Sequence, residues 1–484
     1  MSTVQRIARN TTLLLLSNVA GFVLGFFFTM YVARHLGAAG FGVLSFSLAF
    51  AAIFGVLADI GLQMVMIREI TRDTSLAPKY LGNIAVLKVL LSIITFGLIA
   101  LTVNLLHYPA ETIKAVYLIA LSVIFGAFSA TFYGVFRAYE RMEFEALGGV
   151  VGGVLLLGGA FYAISHNFSV VGFALVYFVA SVIVLGYCFV FSAWKFAMPR
   201  IEVDLSFWKE TLKLAWPFGI MAIFLAIGLW ITPVMLSSMK GDEAVGWYNA
   251  AYRLVLIMQF IPLAYFGAVF PSMSRFHVTS KDFLRFTHER SLKYMLILGV
   301  PIAVGTTILA SKIIMLTFSL EYVPSIIVLQ ILVWTTAFSF VGGVFANLFQ
   351  STNRQIISTR IVAIGVILNV ILNLALIPKY SYTGASIAVT ATGFVGLALS
   401  LFWGSEVGYG ISVKNLAAIA IRVSIASAVM GLPVYYFKNF YILAMVPLAA
   451  LLYFGVLYII GGIDKEDRLL LRQIVRRQPH ELRE

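Results

Sequence analysis

The sequence predicts an all-α polytopic membrane protein with about fourteen transmembrane helices, in two pseudo-symmetric six-helix lobes plus two extra C-terminal helices. Three observations predict it. Of 484 residues, 61% are hydrophobic and only 11% charged, where a soluble domain of this length carries about a quarter charged residues. The apolar residues come in continuous runs of about 20 or more, the length that crosses ~30 Å of hydrocarbon. Short glycine motifs also recur: Gly241 lies 204 positions after Gly37, and Ser381 lies 212 after Ser169. Backbone groups in lipid find no water to bond, so each apolar run must be a helix. Barrel strands would be shorter and would alternate.

The runs fall at 11–33, 41–66, 80–106, 113–136, 144–165, 168–194, 208–238, 244–271, 292–317, 323–350, 356–377, 382–403, 413–436 and 440–461. The first is too long for the apolar core of a signal peptide and reads as an uncleaved span. Most of the 34 Lys and Arg residues lie in the even-numbered loops and at the termini, including Arg68, Arg72, Lys79, Arg137, Arg141 and Lys195 to Lys213. The opposite loops hold Arg34, Lys114, Lys240, Lys312, Lys379 and Lys438. Basic loops stay inside, which puts both termini in the cytoplasm of a multi-pass cell-membrane protein. Arg275 to Lys293 mixes Phe283 and Phe286 with Lys281, Arg285 and Arg290, the pattern of an interfacial helix. The tail from Asp464 onward has a similar character.

The glycine motifs set the domain reading. Gly37-Ala-Ala-Gly-Phe-Gly42 follows span one and Gly241-Asp-Glu-Ala-Val-Gly246 follows span seven. Ser169-Val-Val-Gly172 opens span six and Ser381-Tyr-Thr-Gly384 opens span twelve. Two six-helix halves share one orientation, as parallel repeats do. The expected division is 1–198 (N-lobe), 199–404 (C-lobe), 405–463 (spans thirteen and fourteen) and 464–484 (tail), with Lys195 to Lys209 as the linker.

The net charge of +13 belongs to loops facing anionic lipid, and no nucleic acid is expected as a partner. The single cysteine, Cys188, lies inside an apolar run, so neither an internal disulfide nor a cysteine metal site is available. There is no phosphate-binding Gly-x-x-x-x-Gly-Lys loop and no His-Glu-x-x-His. No cofactor, metal or catalytic residue is expected. The glycine pairs at 148–149, 152–153 and 158–159 read as close helix packing.

The informative residues are polar groups inside spans, because a charge at the bilayer centre costs about 2.5–3.5 kcal/mol on insertion scales and faces a cavity or a partner. Lys88 lies in span three with Ser92, Thr95 and Thr102 on its face. Arg253 lies in span eight near Asn249, Tyr252 and Gln259, neutral hydrogen bonders that leave its charge uncompensated. Asp59 shares a helical face with Gln63, Gly55 and Ser45. It admits two readings, a structural pair with Lys88 or a functional role. Span one carries Asn18, Gly21, Gly25 and Thr29 and ends near Arg34, which suits either a water-facing helix end or a ligand role. Asn369 and Asn373 in span eleven read as interhelical hydrogen bonders. Basic stripes facing an axis between two halves suit an anionic substrate such as a diphosphate headgroup. Without a nucleotide site, transport is driven by a gradient, by the membrane potential or by downstream consumption.

Ala33-Arg34-His35-Leu36-Gly37 through Phe41-Gly42 resembles the pattern Arg-x-Leu-Gly-x-x-x-(Phe/Tyr)-Gly. Asp59-Ile-Gly-Leu62 with Arg68-Glu-Ile70, and Ala244-Val-Gly-Trp-Tyr248 with Ala250-Ala-Tyr-Arg253, extend the likeness, as do Pro262 and Pro271-Ser-Met-Ser274. The chain resembles the polysaccharide transporters, the Wzx-type flippases, of the multidrug/oligosaccharidyl-lipid/polysaccharide exporter superfamily. That resemblance implies two lobes around a cavity lined by spans one, two, seven and eight, working by alternating access. It implies a polyprenyl-diphosphate-linked oligosaccharide as substrate, membrane lipids as surroundings and polysaccharide assembly enzymes as partners. Arg34, Lys88 and Arg253 would bind the diphosphate. Asn18, Gln63, Asn249, Tyr252 and Gln259 would line the cavity, with Asp59 as the ion-coupling residue. Spans thirteen and fourteen resemble those that form a groove in lipid II flippases. A multidrug exporter would instead want acidic cavity residues, and a membrane-embedded glycosyltransferase would want paired carboxylates or a large outer loop.

Overall fold

A computed structural model describes residues 3–409, 413–437, 441–464 and 466–467. In these, α-helices follow one another as α1 (Thr3–Gly55), α2 (Leu62–Arg72), α3 (Ala77–Leu105), α4 (Ala110–Ala138), α5 (Glu143–Ser165), α6 (Val170–Lys195), α7 (Leu205–Lys240) and α8 (Asp242–Met258). Then come α9 (Phe260–Thr279), α10 (Lys281–Thr317), α11 (Ser325–Leu332), α12 (Trp334–Ser351), α13 (Gln355–Gly404), α14 (Val413–Tyr436) and α15 (Ile442–Ile459). No strand occurs among the described residues. Eleven stretches are long and apolar enough to cross a membrane. Two of them hold two helices each, bent at Gly37 and at Ser381, and α15 is one further, shorter apolar helix. Counted this way, the described residues hold fourteen apolar helical segments, the number of spans expected.

Several elements differ from their sequence reading. The second span is not one helix. It stops at Gly55, turns through a short 3-10 segment at Val56–Ala58, and restarts as α2 after Ile60 and Gly61, both at positive φ (44° and 80°). Asp59 sits in that break, so a wheel drawn through Ser45, Gly55 and Gln63 does not describe its surroundings. The eighth span breaks at Gln259, between α8 and α9, where Pro262 lacks the N–H that would bond the Met258 carbonyl. Arg275 to Lys293 is not a separate interfacial helix but the end of α9 and the start of α10, which meet at Ser280. The helix expected in the tail beyond Asp467 lies outside the described residues.

The internal repeat is visible in backbone geometry. Gly37 has φ 68° and ψ −179°, and Gly241 has φ 85° and ψ 174°, a region that is essentially glycine-only. The turn after α4 and the turn after α12 also match. Glu140 and Asn353 have φ 56° and 58°. The Arg141 N–H bonds the Phe136 carbonyl at 2.8 Å, and the Arg354 N–H bonds the Phe349 carbonyl at 2.7 Å, the closing bond of a Schellman turn.

The chain forms two compact units. The first comprises Met1–Ala264, Ile314–Val328 and Thr359–Thr392, and the second Tyr265–Ile313, Leu329–Ser358 and Gly393–Glu484. Within the first, the part of α1 after Gly37 crosses α8 reciprocally. A Cβ on Gly42 would lie 1.7 Å from the Asp242 carbonyl oxygen, and one on Gly246 would lie 1.9 Å from the Ala38 carbonyl oxygen. Small residues allow such backbone approach, and the exchange of equivalent contacts is the mark of a twofold relation. The apolar core of this unit gathers Leu62, Met66, Leu81, Phe136, Phe144 and Cys188. The second unit has a core of α10, α14 and α15 around Tyr453, whose hydroxyl donates to the Ile297 carbonyl at 2.9 Å. The segment just after α15 is held by ions. Arg290 Nη1 lies 2.8 Å from Asp467 Oδ1, Lys293 Nζ lies 2.9 Å from Asp464 Oδ2, and the Tyr294 hydroxyl donates to Asp467 at 3.0 Å. Burial raises the Asp464 carboxyl, but the Asp467 N–H, Lys293 and Arg290 outweigh it and hold it below the usual carboxylate range.

Candidate substrate site

All the residues singled out by sequence fall in the first unit, and the structure sorts them into three groups. The first surrounds the break at Asp59. Lys88 is fully buried. Its ammonium lies 2.6 Å from Asp59 Oδ1 and donates to the Ala127 carbonyl at 2.8 Å and the Thr131 hydroxyl at 2.7 Å. An ammonium has three donors, so all are engaged and the charge is balanced. Gln63 Nε2 donates to the Ala130 carbonyl at 2.5 Å, on the same turn of α4. The left-handed Gly61 lets α7 press close, since a Cβ there would meet the Ala215 carbonyl oxygen at 2.7 Å.

The second group centres on Arg253, on α8 ahead of the break at Gln259. It is half-buried and has no hydrogen-bond or ion-pair partner among the described residues. It lies within electrostatic reach of the Tyr177 and Tyr252 hydroxyls. Tyr252 stacks on the buried Tyr248 with centroids 5.7 Å apart, and Tyr177 packs edge-on against Phe28 of α1 at 5.4 Å. Asn249 is buried and donates to the Val245 carbonyl of its own helix at 3.2 Å. Behind this group Asn373 Nδ2 donates to Thr232 Oγ1 and Asn369 Oδ1, each at 3.0 Å, tying α13 to α7.

The third group lies along α1. Asn18, Gly21 and Gly25 are exposed, and a Cβ on either glycine would meet nothing within 4 Å. The adjoining face packs on α5, where the Ser17 hydroxyl donates to the Ala146 carbonyl at 2.9 Å. The open face borders the second group through Phe22, whose ring meets that of Phe260 at 6.1 Å. Arg34, at the far end of this helix, is exposed. Its Nε donates to the Thr317 carbonyl at 2.9 Å and its Nη2 to the Leu316 carbonyl. These are the last carbonyls of α10, unpaired within their helix and at the negative end of its dipole.

Sequence reasoning did not single out Glu321. Its carboxylate accepts from the Ala38 N–H at 2.6 Å, where the helix restarts after Gly37, and its carbonyl accepts from Trp247 Nε1 at 3.0 Å. The signal was present as a lone acid between two apolar runs, but nothing in the sequence links it to a glycine 284 positions earlier. Thr131 and Tyr177 were likewise missed, being ordinary residues of apolar helices.

The polysaccharide biosynthesis protein family model matches residues 7–277, and that of the MatE family matches residues 217–375. A Haloferax volcanii protein named "Probable low-salt glycan biosynthesis flippase Agl15" is 23% identical over 461 residues, covering 93% of this chain and 94% of that one. "Probable flippase AglR" of the same organism is 25% identical, covering 82% and 83%. The lipid II flippase MurJ in an inward closed conformation has a similar fold, with a TM-score of 0.76 at 17% identity over 94% of this chain and 100% of that one.

Proposed function

Because the chain belongs to the polysaccharide biosynthesis protein family, we propose that it is a flippase carrying a polyprenyl-diphosphate-linked oligosaccharide from the inner to the outer leaflet by alternating access. It is a transporter rather than an enzyme, and the enzymes that assemble the lipid-linked glycan are the partners this role implies. The observation that carries the reading is Arg253. An unpaired guanidinium in a membrane helix costs about 2.5–3.5 kcal/mol on insertion scales, and a diphosphate is the acceptor whose geometry answers a planar fork of donors. The aromatic rings of Tyr252 and Tyr177 beside it, and the open Asn18–Gly21–Gly25 face, supply surface for sugar.

Arg34 is placed by the same reading as a second cation that would meet phosphate when it leaves the end of α10. Lys88 and Asp59 act as a unit. With its three donors engaged, Lys88 would reach phosphate only after Asp59 is protonated or binds a cation, which gives the pair its coupling role. Asn249, Gln63 and Gln259 complete the polar lining in this proposal. The lipid tail has a candidate berth in the second unit. An apolar groove of about 280 Å³ runs between α10, α14 and α15, lined by Leu298, Pro301, Ile302, Val434, Val446 and Phe454. Both termini are proposed to be cytoplasmic. A cation exporter is disfavoured, because the in-span carboxylate Asp59 is already neutralised by Lys88.

The test is reconstitution in liposomes with a fluorescent lipid-linked oligosaccharide and a quencher confined to one side. Wild-type protein moves the probe across. Arg253→Ala expresses and folds but loses at least tenfold in rate. Wild-type flipping by that variant removes Arg253 from the site. Failure of the wild-type chain with lipid-linked oligosaccharide, but transport of lipid II or a cationic drug, transfers the chain to one of those substrates.

A further inference from the structure

The segment between α6 and α7, residues 196–204, forms no helix, yet it is held at several points. Phe196 is packed into the core of its unit at 5.2 Å from Phe136. The Arg200 N–H bonds the Pro78 carbonyl at 3.0 Å, and the Arg200 carbonyl passes so near α3 that a Cβ on Gly82 would stand 1.6 Å from it. The Asp204 N–H bonds Asn83 Oδ1 at 3.1 Å, and its carboxylate faces Lys79 Nζ at 3.4 Å and caps α7. Fixed so, the segment cannot turn its outer side chains inward. Among those side chains Met198, Ile201 (80% exposed) and Val203 are apolar, as is Leu205 at the start of α7, and the exposed Arg200 between them is paired with Glu202 at 2.6 Å. Trp194 is exposed just before them, with Lys195 Nζ 4.5 Å above its ring.

We propose that this segment is a membrane-interface strap, in which Ile201, Val203 and their apolar neighbours lie at the boundary between headgroups and acyl chains of the adjoining leaflet. Two features favour lipid over a protein partner. The strap continues directly from two membrane helices, so its outer face adjoins their lipid-facing surface. Trp194 with Lys195 is the aromatic and basic pairing found at bilayer interfaces. A row of four side chains is also far smaller than the ~800 Å² per partner that a stable protein interface buries.

The native Cys188 is buried, so Ile201→Cys, Val203→Cys and, as the water-facing control, Glu202→Cys, whose carboxylate pairs with the exposed Arg200 at 2.6 Å, can each be labelled with an environment-sensitive fluorophore. The full chain in nanodiscs is then quenched with lipids spin-labelled near the headgroup and, separately, with aqueous iodide. The expected result is strong lipid quenching and at least threefold weaker iodide quenching at 201 and 203 than at 202, in both zwitterionic and anionic discs. Iodide quenching at 201 and 203 equal to that at 202, without lipid quenching, overturns the proposal and leaves the strap to a soluble partner.

Discussion

Lys88 and Arg253 are both cations in membrane helices, and their partners separate their roles. Removing one member of a buried ion pair strands the other, at about 3–5 kcal/mol. Lys88→Met should therefore lower the thermal stability of the detergent-solubilised protein sharply, and adding Asp59→Asn should restore most of the loss. Equal instability of the single and double variants would show that the pair is not a unit. Arg253 has no such partner, so Arg253→Met should leave the melting temperature unchanged or raised while flipping is lost. That both cations mark polar surroundings was legible in the sequence, since their neighbours at helical spacing are polar. That Arg253 lacks a carboxylate partner was read there too, but whether Lys88 is balanced was undecided, because Asp59 sits in a break whose left-handed residues displace it from the wheel.

At the scale of elements, the restart points after Gly37 and Gly241 share one backbone conformation but not one neighbourhood. Alanine at either should cost about 1–3 kcal/mol for the backbone alone. A Cβ on Gly37 would also lie 2.8 Å from Glu321 Oε1, whereas one on Gly241 meets nothing. Gly37→Ala should thus be the more destabilising in thermal melts, and Glu321→Ala in that background should remove the difference. The glycine spacing made this repeat readable. The matched turns at Glu140 and Asn353 were hidden, because their side chains differ and what they share is a positive φ. The broken spans were hidden too, since an apolar run reports that a segment lies in lipid and not that it stays helical throughout.

For the whole molecule, the clasp between α10 and the segment just after α15 predicts acid sensitivity. Asp464 is held below its unfolded value, ordinarily about 3.9. Its stabilisation is complete above that value and is lost as pH falls through about 4 and below. Melting followed from pH 6 to pH 3 should show a drop that is smaller in Asp464→Asn, and an identical drop in the variant would place the acid sensitivity elsewhere. The long apolar helices and the repeat were available from apolar runs and glycines. The compact units were not, because they follow packing between segments far apart in the chain. The reciprocal crossing of Gly42 and Gly246 carries a consequence for how such a chain can change over generations. Where the two copies abut main chain against main chain, neither has space for a single methyl group. The halves are free to drift into unlike sequences nearly everywhere else, but at that spot each copy holds the other to the residue they began with.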